Sequence, residues 1–451
     1  MRARLSSLSN TNRILIAILV VAVLLRVGAA FYMGNRVVNL PGTFDQISYH
    51  NLALRVLGGH GFTFGETWWP MTPAGEPTAH WSYLYTFYLV IIYALLGPNP
   101  LAARLIQAVI VGILHPLLVY LIGKRIFGEI VGVIGAGITS VYVYFVYYAG
   151  TLMTEPFYIT AILGSMYLAL LLVVGKESQI KSQHQSSLAI GLGLLLGTAV
   201  LFRQLFLLVV PFLFVWIWWA GRRNQLPHPV RPIMIMGLII VLMVLPFTLF
   251  NYARFGRFVL LNTNAGYAFF WGNHPIYGTK FVPILTEEMG SYQDLIPEDV
   301  RRLDEAAMDQ ALLKKSLQFI AEDPGRYVLL SLSRIPPYFM FWPSSDSSLV
   351  SNVSRVASFG LFLPFMLYGL VLGTGSLPKG WREVLANPRM LLLGFVLIYT
   401  GIHLLSWTLI RYRLPVDAAL VIFAGVAIED LARRAGLWRN RATKFELDRK
   451  P

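Results

Sequence analysis

The sequence predicts an all-α membrane protein that crosses the bilayer about ten times. Of its 451 residues, 56% are hydrophobic and only 13% are charged, whereas about 25% are charged in a typical soluble protein. Ten apolar runs approach or reach the ~20 residues that a helix needs to span a membrane. The chain contains no cysteine, so disulfides, thiolate nucleophiles and cysteine metal sites are excluded.

The apolar runs give the order of the predicted spans. They cover residues 14–33, 101–123, 131–148, 156–174, 188–202, 205–220, 233–250, 356–371, 390–407 and 414–427. The first run is too long for the core of a signal peptide and has no clear cleavage site, so we interpret it as a retained span. The whole chain, residues 1–451, is therefore predicted to be one integral membrane domain.

The distribution of the lysines and arginines, which give the chain a net charge of +14, predicts an orientation in the membrane. Lysine and arginine occur mainly in alternate connections and at both ends of the chain, which is the pattern of cytoplasmic segments. We therefore expect both termini, including a basic tail over residues 431–451, on the cytoplasmic side of a bacterial or archaeal plasma membrane. Because membrane orientation explains the positive charge, nucleic acid is not an expected partner.

Two long segments then fall on the extracytoplasmic side. They are the first outer loop, residues 34–100, and the large outer loop, residues 251–352. Within them, the aromatic stretch 83–96 and the proline-interrupted stretch 327–342 are predicted to lie along the outer membrane interface, because aromatic rings prefer that depth. A polar helix is predicted over residues 297–321, with Pro297 in its first turn.

An acidic residue, Asp45, follows the first span directly. An ionisable group at a membrane boundary is costly and is usually functional. Thr43 and Gln46 have the spacing of a capping box, and apolar residues then recur at helical spacing, which places Asp45 in the first turn of an amphipathic helix. Two interpretations fit this position: a catalytic carboxylate, or a charge that complements the helix dipole.

The sequence contains none of several familiar catalytic motifs. It has no Gly-Lys-Ser/Thr phosphate loop, no Gly-x-Ser-x-Gly elbow and no His-Glu-x-x-His, and its histidines are too scattered to predict a metal cluster. The chemistry-bearing residues of the outer side are acids, arginines and aromatics. Acids act as bases and arginines bind phosphate through a planar fork. This combination suits transfer of a group from a phosphorylated lipid.

Several motifs in order resemble one known family. Asp45-x-x-x-Tyr49-x-x-x-Ala53 continues into Gly58-Gly59-His60-Gly61-Phe62, and is followed by Ala103-Arg104-Leu105, Thr154-Glu155-Pro156, Phe202-Arg203, Gly272-Asn273-His274-Pro275 and Arg411-Tyr412-Arg413-Leu414-Pro415. This series resembles the bacterial family 39-like glycosyltransferases of the GT-C superfamily. That superfamily includes protein O-mannosyltransferases and the aminoarabinose transferase that modifies lipid A.

The resemblance implies a GT-C-like helical bundle and a reaction. Such enzymes move one sugar from a polyprenyl-phosphate donor to a glycan, lipid or protein acceptor at the outer membrane face, usually with inversion. Asp45 matches the catalytic aspartate that deprotonates the acceptor, and Glu155 falls where a second acid lies near the site. Arg203 and either Arg411 or Arg413 are candidates for the lipid phosphate. The alternative for Glu155 is a charge at a helix N-terminus, and for the arginines it is snorkelling at the interface.

The same resemblance gives further candidates and departures. His80 is a candidate for the donor phosphate, and Tyr49, Tyr85 and Asn273 are candidates for the substrate pocket. Gln46 replaces the second acid of the Asp-Glu pair of O-mannosyltransferases, which makes a protein acceptor for mannose less expected. No cofactor is required by these motifs, and a divalent cation is left open because Asp45 and the distant Glu155 do not form an evident ligand set.

Two other functional classes fit the predicted spans. A polytopic transporter or lipid-glycan flippase would have a similar number of helices, but such proteins often show paired repeats and broken helices near the midplane, and neither pattern is evident here. A non-catalytic lipid-glycan binder descended from the enzyme family is the third class. The carboxylate of Asp45 favours the enzyme.

Overall fold

The computed structural model describes residues 10–173, 182–345, 347–375 and 377–436. Over these ranges the regular structure is helical, without strands, and two isolated β-bridges join Thr63 to Pro77 and Trp68 to Thr72. The predicted all-α class is therefore confirmed. The parts of the orientation prediction that depend on basic residues before residue 10, between residues 174 and 181 and beyond residue 436 lie outside the described residues.

The α-helices occur in a simple order along the chain. They are α1 (Asn10–Met33), α2 (Asp45–Leu57), α3 (Tyr83–Leu96), α4 (Pro100–Ile126), α5 (Glu129–Val141), α6 (Val143–Ala149), α7 (Glu155–Val173), α8 (Ser182–Phe202), α9 (Val210–Arg223), α10 (Val230–Phe255), α11 (Ala265–Asn273), α12 (Glu298–Arg301), α13 (Glu305–Glu322), α14 (Pro324–Ser333), α15 (Ile335–Tyr338), α16 (Leu349–Arg355), α17 (Leu361–Gly375), α18 (Trp381–Ala386), α19 (Pro388–Leu405) and α20 (Leu414–Arg434).

The number of candidate spans agrees with the sequence prediction. Among the described residues, eight helices or joined helices are long and apolar enough to cross a membrane, and the pair α5 and α6, bent by 56°, adds a ninth. The predicted tenth span is α20, whose acids Asp417, Glu429 and Asp430 lower its apolar character. Almost every residue from Leu414 to Ala427 is buried, so α20 lies inside the bundle and packs against α5 and α17.

An arginine inside the first span caps the helix end at the break between α5 and α6. The side chain of Arg26 is fully buried. It donates from Nη2 to the carbonyl of Thr139 at 3.0 Å, and from Nη1 to the carbonyl of Ser140 at 3.2 Å. These carbonyls belong to the last turn of α5, where helical partners are missing because the chain bends. Arg26 therefore satisfies the end of a broken helix within the apolar bundle.

Two local predictions are wrong. The single helix expected over residues 297–321 is divided into α12 and α13, because Asp304 accepts a hydrogen bond from the N–H of Ala307 at 2.9 Å and starts a new helix. The capping box is absent as well: the hydroxyl of Thr43 accepts from the N–H of Leu40 at 3.0 Å and does not cap α2. Helix α2 nevertheless begins at Asp45, as expected.

The two stretches predicted to lie along the membrane form short helices. Helix α3 has 14 residues, α14 has 10 and α15 has 4, all shorter than the ~17 residues of the shortest spanning helices. Their position at the outer interface stays a prediction, as do the bounds of the two outer loops.

A second apolar core lies in the predicted large outer loop, and a carboxylate beside this core binds the first outer loop. Its buried residues include Tyr267, Trp271 and Leu312 from α11 and α13. Glu305, at the start of α13, is also buried. Its carboxylate accepts from the N–H of Ala79 at 2.7 Å and from the hydroxyls of Thr72 and Thr263. This carboxylate connects both predicted outer loops.

Candidate active site

The carboxylate of Asp45 is partly exposed at the N-terminus of α2. About 23% of its side chain is accessible. One carboxylate oxygen, Oδ2, lies 3.0 Å from Nη1 of Arg411, which comes from the other end of the chain. Asp45 therefore has access to solvent, and a helix-dipole role alone does not account for its pairing with Arg411.

Glu155 lies close to Asp45 and shares the same arginine. It is the first residue of α7 and its side chain is 1% exposed. Its Oε1 atom lies 2.5 Å from Nη2 of Arg203 and 3.8 Å from Nε of Arg411. The two carboxylates therefore contact the same guanidinium, whereas their facing one shared outer cavity stays a prediction. Their catalytic roles stay predictions.

Helix ends bring these four side chains together. Arg203 lies between α8 and the 3₁₀ turn Gln204–Leu208, and its extended backbone (φ −147°, ψ 108°) interrupts the helical path. Arg411 belongs to the 3₁₀ turn Ile410–Arg413, immediately before α20. Asp45 and Glu155 each begin a helix. We call Asp45, Glu155, Arg203 and Arg411 the charged site.

The charged site is electrically balanced and is lined by tyrosines. Two carboxylates face two guanidiniums, so the formal charges cancel. The ring of Tyr412 lies 5.3 Å from the guanidinium carbon of Arg203 and 5.2 Å from that of Arg411, within the range of cation–π attraction. Arg203 and Arg411 keep 18% and 12% of their side chains exposed. An anion therefore has access to both arginines, whereas Glu155 is sealed behind them.

Tyr49 and Tyr85 form a wall beside Asp45. The ring of Tyr49, one turn after Asp45, contacts those of Trp81 and Tyr85 at 5.5 and 4.9 Å. Burial raises the pKa of Tyr49 well above its ordinary value, and the charge of Asp45 adds to this effect. Tyr85 is fully buried and its hydroxyl donates to Gln107 at 2.9 Å. Both tyrosines support the site from behind.

The structure does not bring the other three predicted residues into the charged site. Nδ1 of His80 lies 3.2 Å from the carbonyl of Thr263, and burial lowers the pKa of His80, so its neutral form is favoured and offers little to a phosphate. Asn273 is fully buried and accepts from Nη2 of Arg334 at 2.8 Å. Arg413 is also fully buried, and its Nε lies 2.9 Å from Asp417. Arg411 and Arg413 thus belong to one tight turn but pair with different carboxylates.

Sequence reasoning missed part of the site and misjudged one departure. The stacking of Tyr412 between two arginines was not predicted, although its place in Arg411-Tyr412-Arg413 was the available signal. Gln46 is fully buried; its Nε2 donates to the carbonyl of Val38 at 2.5 Å, and its Oε1 accepts from Arg104 at 3.0 Å. Gln46 therefore holds the loop before α2 and does not face the charged site. Its identity carries no argument about the acceptor.

An apolar groove lies between elements that follow Glu155 and Arg203 in the chain. It lies between α7, the segment Gln204–Arg223 and α19, with a cavity volume of about 60 Å³. Ile162 and Met166 line one side, Phe206 and Leu213 another, and Phe395 a third. Ile162 stands two helical turns after Glu155, and Phe206 follows Arg203 by three residues. The elements that carry Glu155 and Arg203 therefore also line an apolar space between predicted spans.

The residues of the charged site do not fit a divalent cation. Among the described residues there is no group of three histidine, aspartate or glutamate side chains close enough to hold a metal. Each carboxylate of the site already has a guanidinium beside it, and a cation would have to displace that arginine. Hard cations such as Mg²⁺ and Ca²⁺ need several oxygen ligands.

Comparisons with known proteins agree with this architecture. Residues 81–249 match the sequence model of the family described as dolichyl-phosphate-mannose-protein mannosyltransferase. A comparison with curated protein sequences found no match.

Solved structures support the fold. The oligosaccharyltransferase AglB from Archaeoglobus fulgidus, in complex with an inhibitory peptide and a dolichol-phosphate, is 16% identical with a TM-score of 0.58, covering 96% of this chain and 53% of that one. The complex of the A. fulgidus oligosaccharyltransferase with Zn and sulfate is 15% identical with a TM-score of 0.55, covering 93% of this chain and 50% of that one. This chain thus spans about half the length of those proteins. ArnT from Cupriavidus metallidurans, bound to undecaprenyl phosphate, is 14% identical over 96% of this chain and 82% of that one, but its TM-score of 0.39 carries no argument.

Proposed function

We propose that this chain, which has the fold of the GT-C membrane glycosyltransferases, transfers one monosaccharide from a polyprenyl-phosphate donor to an acceptor hydroxyl at the extracytoplasmic membrane face, with inversion. The observation that carries the proposal is the charged site. A solvent-accessible carboxylate, Asp45, shares Arg411 with the buried Glu155, and the helix that begins at Glu155 also lines an apolar groove. This arrangement provides a base, a phosphate-binding pair and a place for a lipid chain.

Asp45 is the proposed general base. One carboxylate oxygen takes the proton from the acceptor hydroxyl while the acceptor oxygen attacks the anomeric carbon. The bond between that carbon and the phosphate oxygen breaks on the opposite face, and its electron pair leaves with the phosphate. The products are the glycosylated acceptor and polyprenyl phosphate, and the single displacement inverts the anomeric configuration. A positioned base typically contributes ~10²–10⁴-fold to such a rate.

Arg203 and Arg411 are the proposed phosphate ligands. The donor is a phosphodiester with one negative charge, whereas the departing polyprenyl phosphate is a monoester that gains a second. An interaction with the guanidiniums therefore strengthens as the bond breaks, which is the condition for accelerating the reaction. Glu155, held against Arg203 at 2.5 Å, fixes the position of that arginine. None of these steps requires a metal ion.

The apolar groove is the proposed location of the polyprenyl chain. Its walls are almost entirely aliphatic and aromatic, and it lies between helices that are candidate spans. A lipid chain in this groove would place its phosphate at the polar end, beside Arg203. The lipid chain would anchor the donor in the membrane while the sugar faces the acceptor.

One experiment separates transfer from transport. The purified protein is reconstituted in vesicles with a radiolabelled polyprenyl-phosphate sugar and membranes that supply the acceptor. A transferase releases polyprenyl phosphate and moves the label to the acceptor, and the anomeric configuration of the product reports inversion. A flippase changes only the side on which the intact donor is accessible. Donor movement without release of polyprenyl phosphate would overturn the proposed function.

A further inference from the structure

A second, polar cavity opens along α2. Its volume is about 520 Å³, within the ~300–1,000 Å³ typical of small-molecule sites. Its lining includes Asn51, Arg55, His60, Glu66 and Trp68. We call it the α2 pocket. It differs from the apolar groove because hydrogen-bonding side chains supply much of its wall.

The α2 pocket is connected to Asp45 by an aromatic column. The indole N–H of Trp68 donates to the hydroxyl of Ser48 at 2.8 Å. The ring of Trp68 is stacked with Phe64 at 5.3 Å and with Phe44 at 6.2 Å. Phe44 immediately precedes Asp45 and keeps 40% of its surface exposed. The column therefore runs from the pocket lining to an exposed ring next to the proposed base.

The polar residues of the pocket follow the same helix. The pocket residues Asn51 and Arg55 and the buried Ser48, which holds Trp68, are spaced by three and four residues, so they lie on one side of α2. Arg55 stands ten residues after Asp45, a rise of ~15 Å along a helix. A single sugar ring does not cover this distance, whereas a short oligosaccharide does.

The wall opposite α2 is preformed. Gly59 and Gly61 adopt φ values of 78° and 65°, which favour glycine, and they turn the chain away from the end of the helix. Phe62 and Phe64 then point into the core, and the carbonyl of Phe64 accepts from the N–H of Gly75 at 2.8 Å. Arg55 donates to the hydroxyl of Thr63 at 3.0 Å and ties this wall to α2. The cavity therefore does not depend on a ligand for its shape.

We propose that the α2 pocket binds the non-reacting sugars of a glycan acceptor, which makes the acceptor a carbohydrate hydroxyl. The inference rests on the proposed function. Asn51, Arg55, His60 and Glu66 supply both donors and acceptors, as sugar hydroxyls require. One guanidinium and one carboxylate balance each other, which suits a neutral glycan. The exposed ring of Phe44 offers an apolar face to the sugar adjacent to the reacting hydroxyl.

The chemical nature of the product tests the acceptor class. Membranes are incubated with wild-type protein and a labelled polyprenyl-phosphate sugar, and mass spectrometry with linkage analysis identifies the residue to which the label is bonded. We expect a sugar–sugar bond. A bond directly to serine, threonine or a lipid headgroup would overturn the glycan assignment and leave the transferase function intact. No transfer at all would overturn both.

Kinetics test the pocket itself. Because the side chains of Asn51 and Glu66 have no hydrogen-bond partner within the described part of the chain, the double variant Asn51→Ala, Glu66→Ala should fold normally. We expect the acceptor KM to rise about tenfold, since each lost hydrogen bond is worth roughly threefold to tenfold, with the donor KM and kcat unchanged. Glu76→Ala, an exposed acid of the same loop outside the pocket lining, is the control. An acceptor KM equal to that of the control would overturn the proposal.

Discussion

Arg411 and Arg413 lie two residues apart in one 3₁₀ turn, yet they have different surroundings. Arg411 keeps 12% of its side chain exposed and lies between two carboxylates from α2 and α7. Arg413 is fully buried, pairs with Asp417 one turn later, and donates to the carbonyl of Tyr338 at 2.6 Å. Its guanidinium also lies 3.5 Å from the ring centre of Phe359.

The difference indicates which arginine is available for chemistry. Arg413 has a single carboxylate partner, held by its own helix and by the hydroxyl of Tyr142 at 2.8 Å, and no route for a substrate. Arg411 connects groups from distant segments and remains accessible. The first arrangement stabilises the bundle around α20. The second places an accessible positive charge beside a candidate base.

The largest expected effect comes from comparing the aspartates of these two pairs. Asp45→Asn should lower transfer ~10²–10⁴-fold, because the amide cannot accept the acceptor proton, while the folded fraction stays near that of the wild type. Asp417→Asn should instead destabilise the protein by ~3–5 kcal/mol, because Arg413 is left buried without its counter-ion.

Turnover per folded molecule and thermal unfolding in detergent separate the two effects. Asp430→Asn, which changes a partly exposed acid paired with Arg434, controls for loss of a surface carboxylate. If Asp45→Asn retains wild-type turnover, Asp45 is a structural residue and the proposed mechanism is wrong.

Substitution of the two arginines should also separate a loss of turnover from a loss of stability, with a smaller catalytic effect. Arg411→Gln should lower kcat ~10²–10³-fold, the usual consequence of removing one preorganised charge stabiliser, with little change in unfolding temperature. Arg413→Gln should unfold at a lower temperature but retain its turnover per folded molecule. Single-turnover rates with saturating donor, measured beside unfolding curves, check both. Equal losses of turnover in the two variants would show that burial does not divide their roles.

The sequence predicted the class, the spans and the location of Asp45 for clear physical reasons. Apolar runs set the spans, and an acid directly after the first span singled out Asp45, whereas Glu155 was placed near the site only by the family resemblance. It could not choose between Arg411 and Arg413, because their partners are distant in sequence and the turn geometry decides which one meets them. Nor could it show that Gln46 points inward, since contact with Arg104 exists only after folding.

A third arginine extends the structural side of the comparison. Arg26 is buried like Arg413, but among the described residues its guanidinium donates to backbone carbonyls rather than to a carboxylate. Arg26→Met leaves the carbonyls of Thr139 and Ser140 without this donor, at ~1–3 kcal/mol for an unsatisfied buried group. The change also removes a buried charge and leaves no carboxylate without its counter-ion. The free energy of unfolding should therefore fall less than for Arg413→Gln, which leaves Asp417 buried and unpaired.

Unfolding temperature and turnover per folded molecule again provide the measurement for Arg26. Lys124→Met, at the partly exposed pair with Glu129, is a matched loss of one cation and should change stability little. If the Arg26→Met variant is as stable as this control, the bend between α5 and α6 does not need the hydrogen bonds from Arg26.

The smallest expected effect is that of removing metal ions. In the charged site Arg411 already lies between the two carboxylates, at 3.0 Å from Asp45 and 3.8 Å from Glu155, so positive charge is present where a cation would act. We therefore expect the transfer rate to be unchanged by excess EDTA and by later addition of Mg²⁺, Mn²⁺ or Zn²⁺. The same titration on Arg411→Gln sharpens the comparison, because that variant frees both carboxylates for a cation. Rescue of Arg411→Gln by a metal would support the placement of the guanidinium charge, whereas EDTA inhibition of the wild type would show that a metal acts beside Arg411.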